Sequence, residues 1–172
     1  SLLIDNGSQN KSSTNNAIKY YSGGQIWPDE AKDLATLKSE TYHTGNVVGH
    51  SHAYYDAEKT QPHYAYINGN ITGAYDSTTV DFVGRRMLVV YTGDETVPMA
   101  FFVYDRITSD AGGYKKTFLF HITSSKAPTI VASTKTMATE NGDGRLVLTC
   151  LSDNVEIKGV GGRATGSDGL YD

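Results

Sequence analysis

The sequence predicts an all-β fold, most simply an antiparallel β-sandwich, with one short helix. Three observations carry that expectation. Twelve tyrosines and an abundance of Thr, Val and Gly favour pleated strands joined by turns. Turn signals such as Asn68-Gly69, Gly93-Asp94 and Asn141-Gly142-Asp143-Gly144 recur about every 8 to 15 residues, the spacing of an antiparallel sandwich. Only one stretch has helical character: Pro28-Asp29-Glu30 places a proline and two acids in a first turn, and Leu34 with Leu37 follows at i, i+3.

Leu2-Leu3-Ile4 is a short apolar strand running into the turn tripeptide Asp5-Asn6-Gly7. Residues 6–25 are dominated by Ser, Asn, Gln, Thr, Gly and Lys and are expected to form a polar loop, because they hold too little apolar surface to order themselves. Beyond the helix, Val47 to Tyr55 is a strand, and so is His63 to Ile67, ended by Asn68-Gly69. Val80 to Tyr91 is long enough to cross a wide sheet. Val97 to Asp105 and Tyr114 to Thr123 are strongly apolar strands, with Asp105-Arg106 expected to turn. Thr129 to Thr139 alternates, and Asn141 to Gly144 should fold it back as a hairpin onto Arg145 to Leu151. Residues 161–172 hold four glycines and no periodicity, which predicts a flexible tail.

The length, 172 residues, suits one domain spanning 1–172, burying roughly 70% of its unfolded surface. One cysteine excludes an internal disulfide framework, and Cys150 in its apolar strand is expected to be a core residue. A net charge of −4 argues against a nucleic-acid module, which carries a basic face. No apolar run approaches the roughly 20 residues of a membrane span. The opening Ser1-Leu2-Leu3-Ile4 has neither an initiator Met nor a basic signal-peptide start, so the chain is expected to be excised from a longer one.

Histidines are the natural candidates for chemistry near neutral pH. On a strand, His50 and His52 share a face and could bind one metal, with His63, Asp56 and Glu58 near enough in sequence to add ligands. The same i, i+2 pair serves equally as plain polar surface. In Thr117-Phe118-Leu119-Phe120-His121-Ile122, period two puts Phe118, Phe120 and Ile122 on one face, expected to be core. His121 would then point away from it, towards a metal or partner, or donate to a backbone carbonyl. Arg85-Arg86 places one arginine on each face of its strand, and the inward one needs a carboxylate, Asp105 or Asp81. No phosphate loop, GxSxG, HExxH or dinucleotide fingerprint is present.

Several stretches together resemble the heparinase II/III-like polysaccharide lyases. Tyr64-Ala65-Tyr66-Ile67-Asn68-Gly69-Asn70-Ile71-Thr72-Gly73-Ala74-Tyr75 is similar to that family's "Y-x-Y-L-x-G-D-I-T-x-A-Y". Arg85-Arg86 opening a strand, Val103-Tyr104-Asp105-Arg106-Ile107 ("V-x-D-R-V") and Lys115 to His121 ("K-K-x-W-L-L-H") follow in the family's order. Gly23-Gly24-Gln25 and the short helix are also similar, and the resemblance spans about residues 1–151.

That resemblance implies a sandwich of the galactose-mutarotase-like, lyase supersandwich type, lying C-terminal to a helical α/α toroid. It implies β-elimination at a uronic acid: a base removes the proton beside the carboxylate, whose charge is neutralised, and a tyrosine serves as acid or base. The catalytic Tyr and His belong to segments upstream of the matched part, so no catalytic residue is expected in this chain. His121 matches a histidine that ligates zinc in the family, with the companion His and Asp upstream, which implies an incomplete structural zinc site. Asn70 stands where the family has Asp. An acidic polysaccharide (heparan sulfate, another glycosaminoglycan or alginate), held by basic groups of the toroid, and a periplasmic or secreted location are further implications. The competing expectations are a stand-alone carbohydrate-binding module using Tyr54, Tyr64, Tyr66 and Tyr75, and a metal-binding sandwich using His50, His52 and His63.

Overall fold

The structure is a computed structural model and describes residues 2–5, 25, 45–122 and 127–159. Apart from Gln25, the expected polar loop and helix lie outside the described residues, as does the expected tail. The described residues are all-β and antiparallel. The chain divides into two compact units, Ser1–Leu119 and Phe120–Asp172.

In the first unit β2 (Asn46–Tyr54), β3 (Pro62–Asn70), β4 (Val80–Tyr91) and β5 (Met99–Ser109) form one sheet in sequence order. Each strand pairs antiparallel with the next, so every connection is local. A second, two-stranded sheet joins β1 (Leu2–Asp5) to β6 (Lys115–Phe118), with Leu2 opposite Phe118. Leu2 and Ile4 alternate with less buried neighbours and enter a core with Ala74, Tyr75, Val80 and Val83. Ile71, Ile107 and Tyr114 pack against it. Two sheets sharing one core is the packing that defines a sandwich. Ile4 and Val83 are fully buried, and each such side chain stabilises by roughly 1.5–3 kcal/mol.

The passage from β3 to β4 is organised by side chains. The Asn70 carboxamide oxygen accepts from the Thr72 N–H (3.0 Å) and hydroxyl (2.7 Å), an Asx-type turn. The Thr72 hydroxyl in turn accepts from the Val83 N–H (2.9 Å). A 3-10 turn at Thr72–Ala74 then carries Tyr75 into the core, 5% exposed, where its hydroxyl donates to the Leu2 carbonyl (3.1 Å).

Three expectations are corrected. β3 does not end at Asn68-Gly69 but runs to Asn70, because Gly69 keeps its place opposite Arg85. Asp105-Arg106 makes no turn: β5 continues to Ser109, held by Ile107 against the core. β6 stops at Phe118 rather than Thr123.

In the second unit β7 (Thr129–Val131), β8 (Thr136–Asn141) and β9 (Gly144–Thr149) form a three-stranded meander. The expected strand Thr129–Thr139 is two strands, broken by a 3-10 turn at Ala132–Thr134 and by Lys135 in the left-handed region, φ 50°. The hairpin at Asn141–Gly144 forms as predicted, with Gly142 at φ 58°, a conformation cheap only for glycine. Cys150 lies just past β9, half-buried, its N–H donating to the Lys135 carbonyl (2.9 Å).

Candidate functional site

The paired arginines of β4 occupy opposite faces of the four-stranded sheet. Arg85 stands opposite Asp105 and Arg86 opposite Tyr104. Arg85 makes a two-pronged contact with Asp105, Nε to Oδ1 at 2.7 Å and Nη2 to Oδ2 at 2.8 Å, the fork geometry that guanidinium and carboxylate share. The Asp105 hydrogen bonds push the Arg85 pKa up, against partial burial that opposes it. Arg85 also lies over the Phe118 ring, 5.5 Å from its centroid. Of the two carboxylates considered for it, Asp105 is the partner. Burial pushes the neighbouring Tyr75 phenol up to about 12, with Arg85 pulling down and Asp105 pushing up.

The opposite face is arranged differently. Arg86 lies over Tyr104 (5.7 Å) and Arg106 over Phe82 (5.6 Å). Gly84, directly across from Arg106, leaves the space that the Phe82 ring fills; a Cβ there would stand 2.8 Å from the ring. Tyr66 and Phe102 flank Leu88 on this same face. Sequence reasoning found Arg86 but missed Arg106, which had been given to a turn; period two counted along β5 from Tyr104 would have placed it.

Tyr64 and Tyr66, two of the proposed sugar-contacting tyrosines, share that face, and the Tyr64 hydroxyl is 3.0 Å from Ser51 Oγ. Tyr75 does not join them: it is a core residue, because its ring seals the β1 side of the sandwich. Tyr54 packs edge-on against His52, centroids 5.7 Å apart.

His50 and His52 face β3 at Ile67 and Ala65, two residues apart as expected. His63 instead stacks on Tyr55, centroids 4.2 Å apart and tilted 30°. Asp56 is engaged by the Thr60 hydroxyl and N–H, which hold its pKa below the usual carboxylate range. Among the described residues no three His, Cys, Asp or Glu side chains come together as metal ligands.

His121 is exposed and lines an open cleft of about 360 Å³ in the second unit with Phe120, Ile122, Thr139, Asn141, Gly144, Arg145 and Leu146. The expected core face beside it is not core: Phe118, at the end of β6, and Phe120, just beyond it, are 43% and 44% exposed. The cleft brings one imidazole, an amide, a hydroxyl and a guanidinium residue, with no carboxylate or thiol. Zinc takes nitrogen, sulfur or carboxylate donors, usually four, so the described residues alone do not fit it.

Comparison with models of protein families finds none that matches this sequence, and a search among curated proteins finds no match either.

Proposed function

We propose that this chain is a non-catalytic β-sandwich portion of a heparinase II/III-like polysaccharide lyase, supporting β-eliminative cleavage of a uronic-acid-containing polysaccharide by an upstream α/α toroid. The observation that carries this reading is where the resembling stretches fall. They fall on β3 with its Asx turn, β4, β5 and β6 of the first unit, the last stretch running on to His121 in the second. Two of them meet in the Arg85–Asp105 pair. Asn70, in the position of the family's Asp, accepts two hydrogen bonds from Thr72 and shapes the turn between β3 and β4. The motif residues thus act as builders of the sheet, which suits a supporting domain.

Acidic polysaccharide is the substrate class of the whole protein in this reading, and a periplasmic or secreted location goes with it. Zinc belongs to it only as a structural ion completed by ligands from outside the described residues, with His121 as this chain's contribution. The reading is tested by joining the chain to its upstream toroid and following the unsaturated uronate product on heparan sulfate, hyaluronan and alginate. The joined protein is expected to cleave one of them and the isolated chain none. A stand-alone carbohydrate-binding module draws on Tyr64 and Tyr66 sharing one sheet face; glycan binding by the joined protein with no cleavage would favour it.

A further inference from the structure

We infer that the Arg86–Arg106 face of the four-stranded sheet is itself a binding surface for an acidic polysaccharide, separate from any catalytic cleft. The contrast across the sheet carries the inference. On one face Arg85 has its carboxylate, in a contact that satisfies its fork. On the other, Arg86 and Arg106 are exposed, and neither has an ion pair or a hydrogen bond to a carboxylate among the described residues. Each is instead laid over a ring, Tyr104 and Phe82. A guanidinium held over a ring makes no hydrogen bond to it through its in-plane N–H groups, which stay available for a two-oxygen anion.

Register fixes the spacing. Arg86 faces Tyr104, and Arg106 lies two residues further along β5, so the two cations are diagonal neighbours with backbones about 7 to 8 Å apart. Gly84 between them adds no side chain. Phe102 and Tyr104, 50% and 58% exposed, extend the strip with apolar rings. Two cations beside exposed rings match a polymer with carboxylate or sulfate groups and apolar sugar faces. The net charge of −4 is a property of the whole chain and does not cancel a local pair of bare arginines. In part this revises the expectation that the groups holding a polyanion lie only in the toroid. The choice of polymer rests on the lyase reading; the anion-binding geometry does not.

The test is binding of the 172-residue chain to immobilised heparin, polyguluronate and uncharged dextran over a range of salt concentrations. Binding to heparin and polyguluronate but not dextran is expected. It should weaken about tenfold in Arg86→Gln or Arg106→Gln and about a hundredfold in the double variant, with a shallower salt dependence. Heparin alone would assign the site to sulfate and polyguluronate alone to carboxylate, both within the inference. Circular dichroism confirms that the variants fold, and Lys115→Gln serves as a control of equal charge change away from the face. No binding to either polyanion, equal loss in the control, or equally tight binding of a DNA oligonucleotide would overturn the inference. A joined toroid–sandwich protein that cleaves while this chain binds nothing would sink this site and leave the lyase reading standing; binding without cleavage would do the reverse.

Discussion

Arg85 on β4 and Asp105 on β5 close a two-pronged ion pair at 2.7 and 2.8 Å, with side chains 21% and 13% exposed. A pair so placed is strongly coupled to its own completeness. Removing one partner leaves the other charge poorly solvated, whereas removing both leaves only a volume to fill.

Arg85→Met or Asp105→Leu alone is therefore expected to cost about 2–3 kcal/mol, discounted for the partial exposure of the pair. The double replacement should recover most of that loss. Urea unfolding of the four species checks it; additive losses would show that the two residues do not act as a pair.

Tyr75 makes stability fall in alkali. Its pKa stands at about 12 in the fold against 10.0 for the free side chain, so the unfolded chain loses its proton first. Stability is unaffected by this group below pH 10 and declines as the pH rises through the window to about 12, by about 2–3 kcal/mol in all. Tyr75→Phe should remove that decline. It should also cost about 1 kcal/mol at neutral pH, since the Leu2 carbonyl loses its donor. Unfolding at graded pH, followed with tyrosinate absorbance, measures both effects.

Gly84 is needed for its empty Cβ. Gly84→Ala would set a methyl 2.8 Å from Phe82 Cε1 and Cζ, so the Phe82 ring must shift, and its contact with Arg106 shifts with it. A loss of about 1–3 kcal/mol is expected. Gly49→Ala, with nothing within 4 Å, should change stability by no more than about 0.5 kcal/mol. Thermal unfolding of the two variants compares them directly.

Purified without a nickel column, the isolated chain should hold well under one zinc per molecule, since the described residues give His121 no companion ligand. Metal analysis before and after zinc reconstitution checks this. A tightly held equivalent that disappears in His52→Ala but not in His121→Ala would point to the β2 histidines instead.

The strands of the sandwich were legible where alternation and turn residues agreed. β4 spans Val80–Tyr91 in both sequence and structure, and its arginine pair announced a carboxylate on one face. Legibility failed where polar residues continue a strand. Asn68-Gly69 and Asp105-Arg106 look like turns, yet both stay in the ladder because their neighbours Asn70 and Ile107 are fixed by a side-chain turn and by the core. The face of Phe118 and Phe120 was misread as core because apolar side chains at period two were taken to point inward, yet Phe118, still within β6, is 43% exposed and Phe120 44%. Arg106 stayed hidden for a different reason. Its partner Phe82 comes from a neighbouring strand, and the room for that ring comes from a glycine whose role is visible only in three dimensions.

The most direct test of the central claim is a continuous ultraviolet assay for the unsaturated uronate product. The isolated chain and the chain joined to its upstream toroid are compared on heparan sulfate, hyaluronan and alginate. A supporting sandwich gives no absorbance rise alone and a clear rise when joined. Robust turnover by the isolated 172 residues, or no turnover by the joined protein on any uronate polymer, would contradict it.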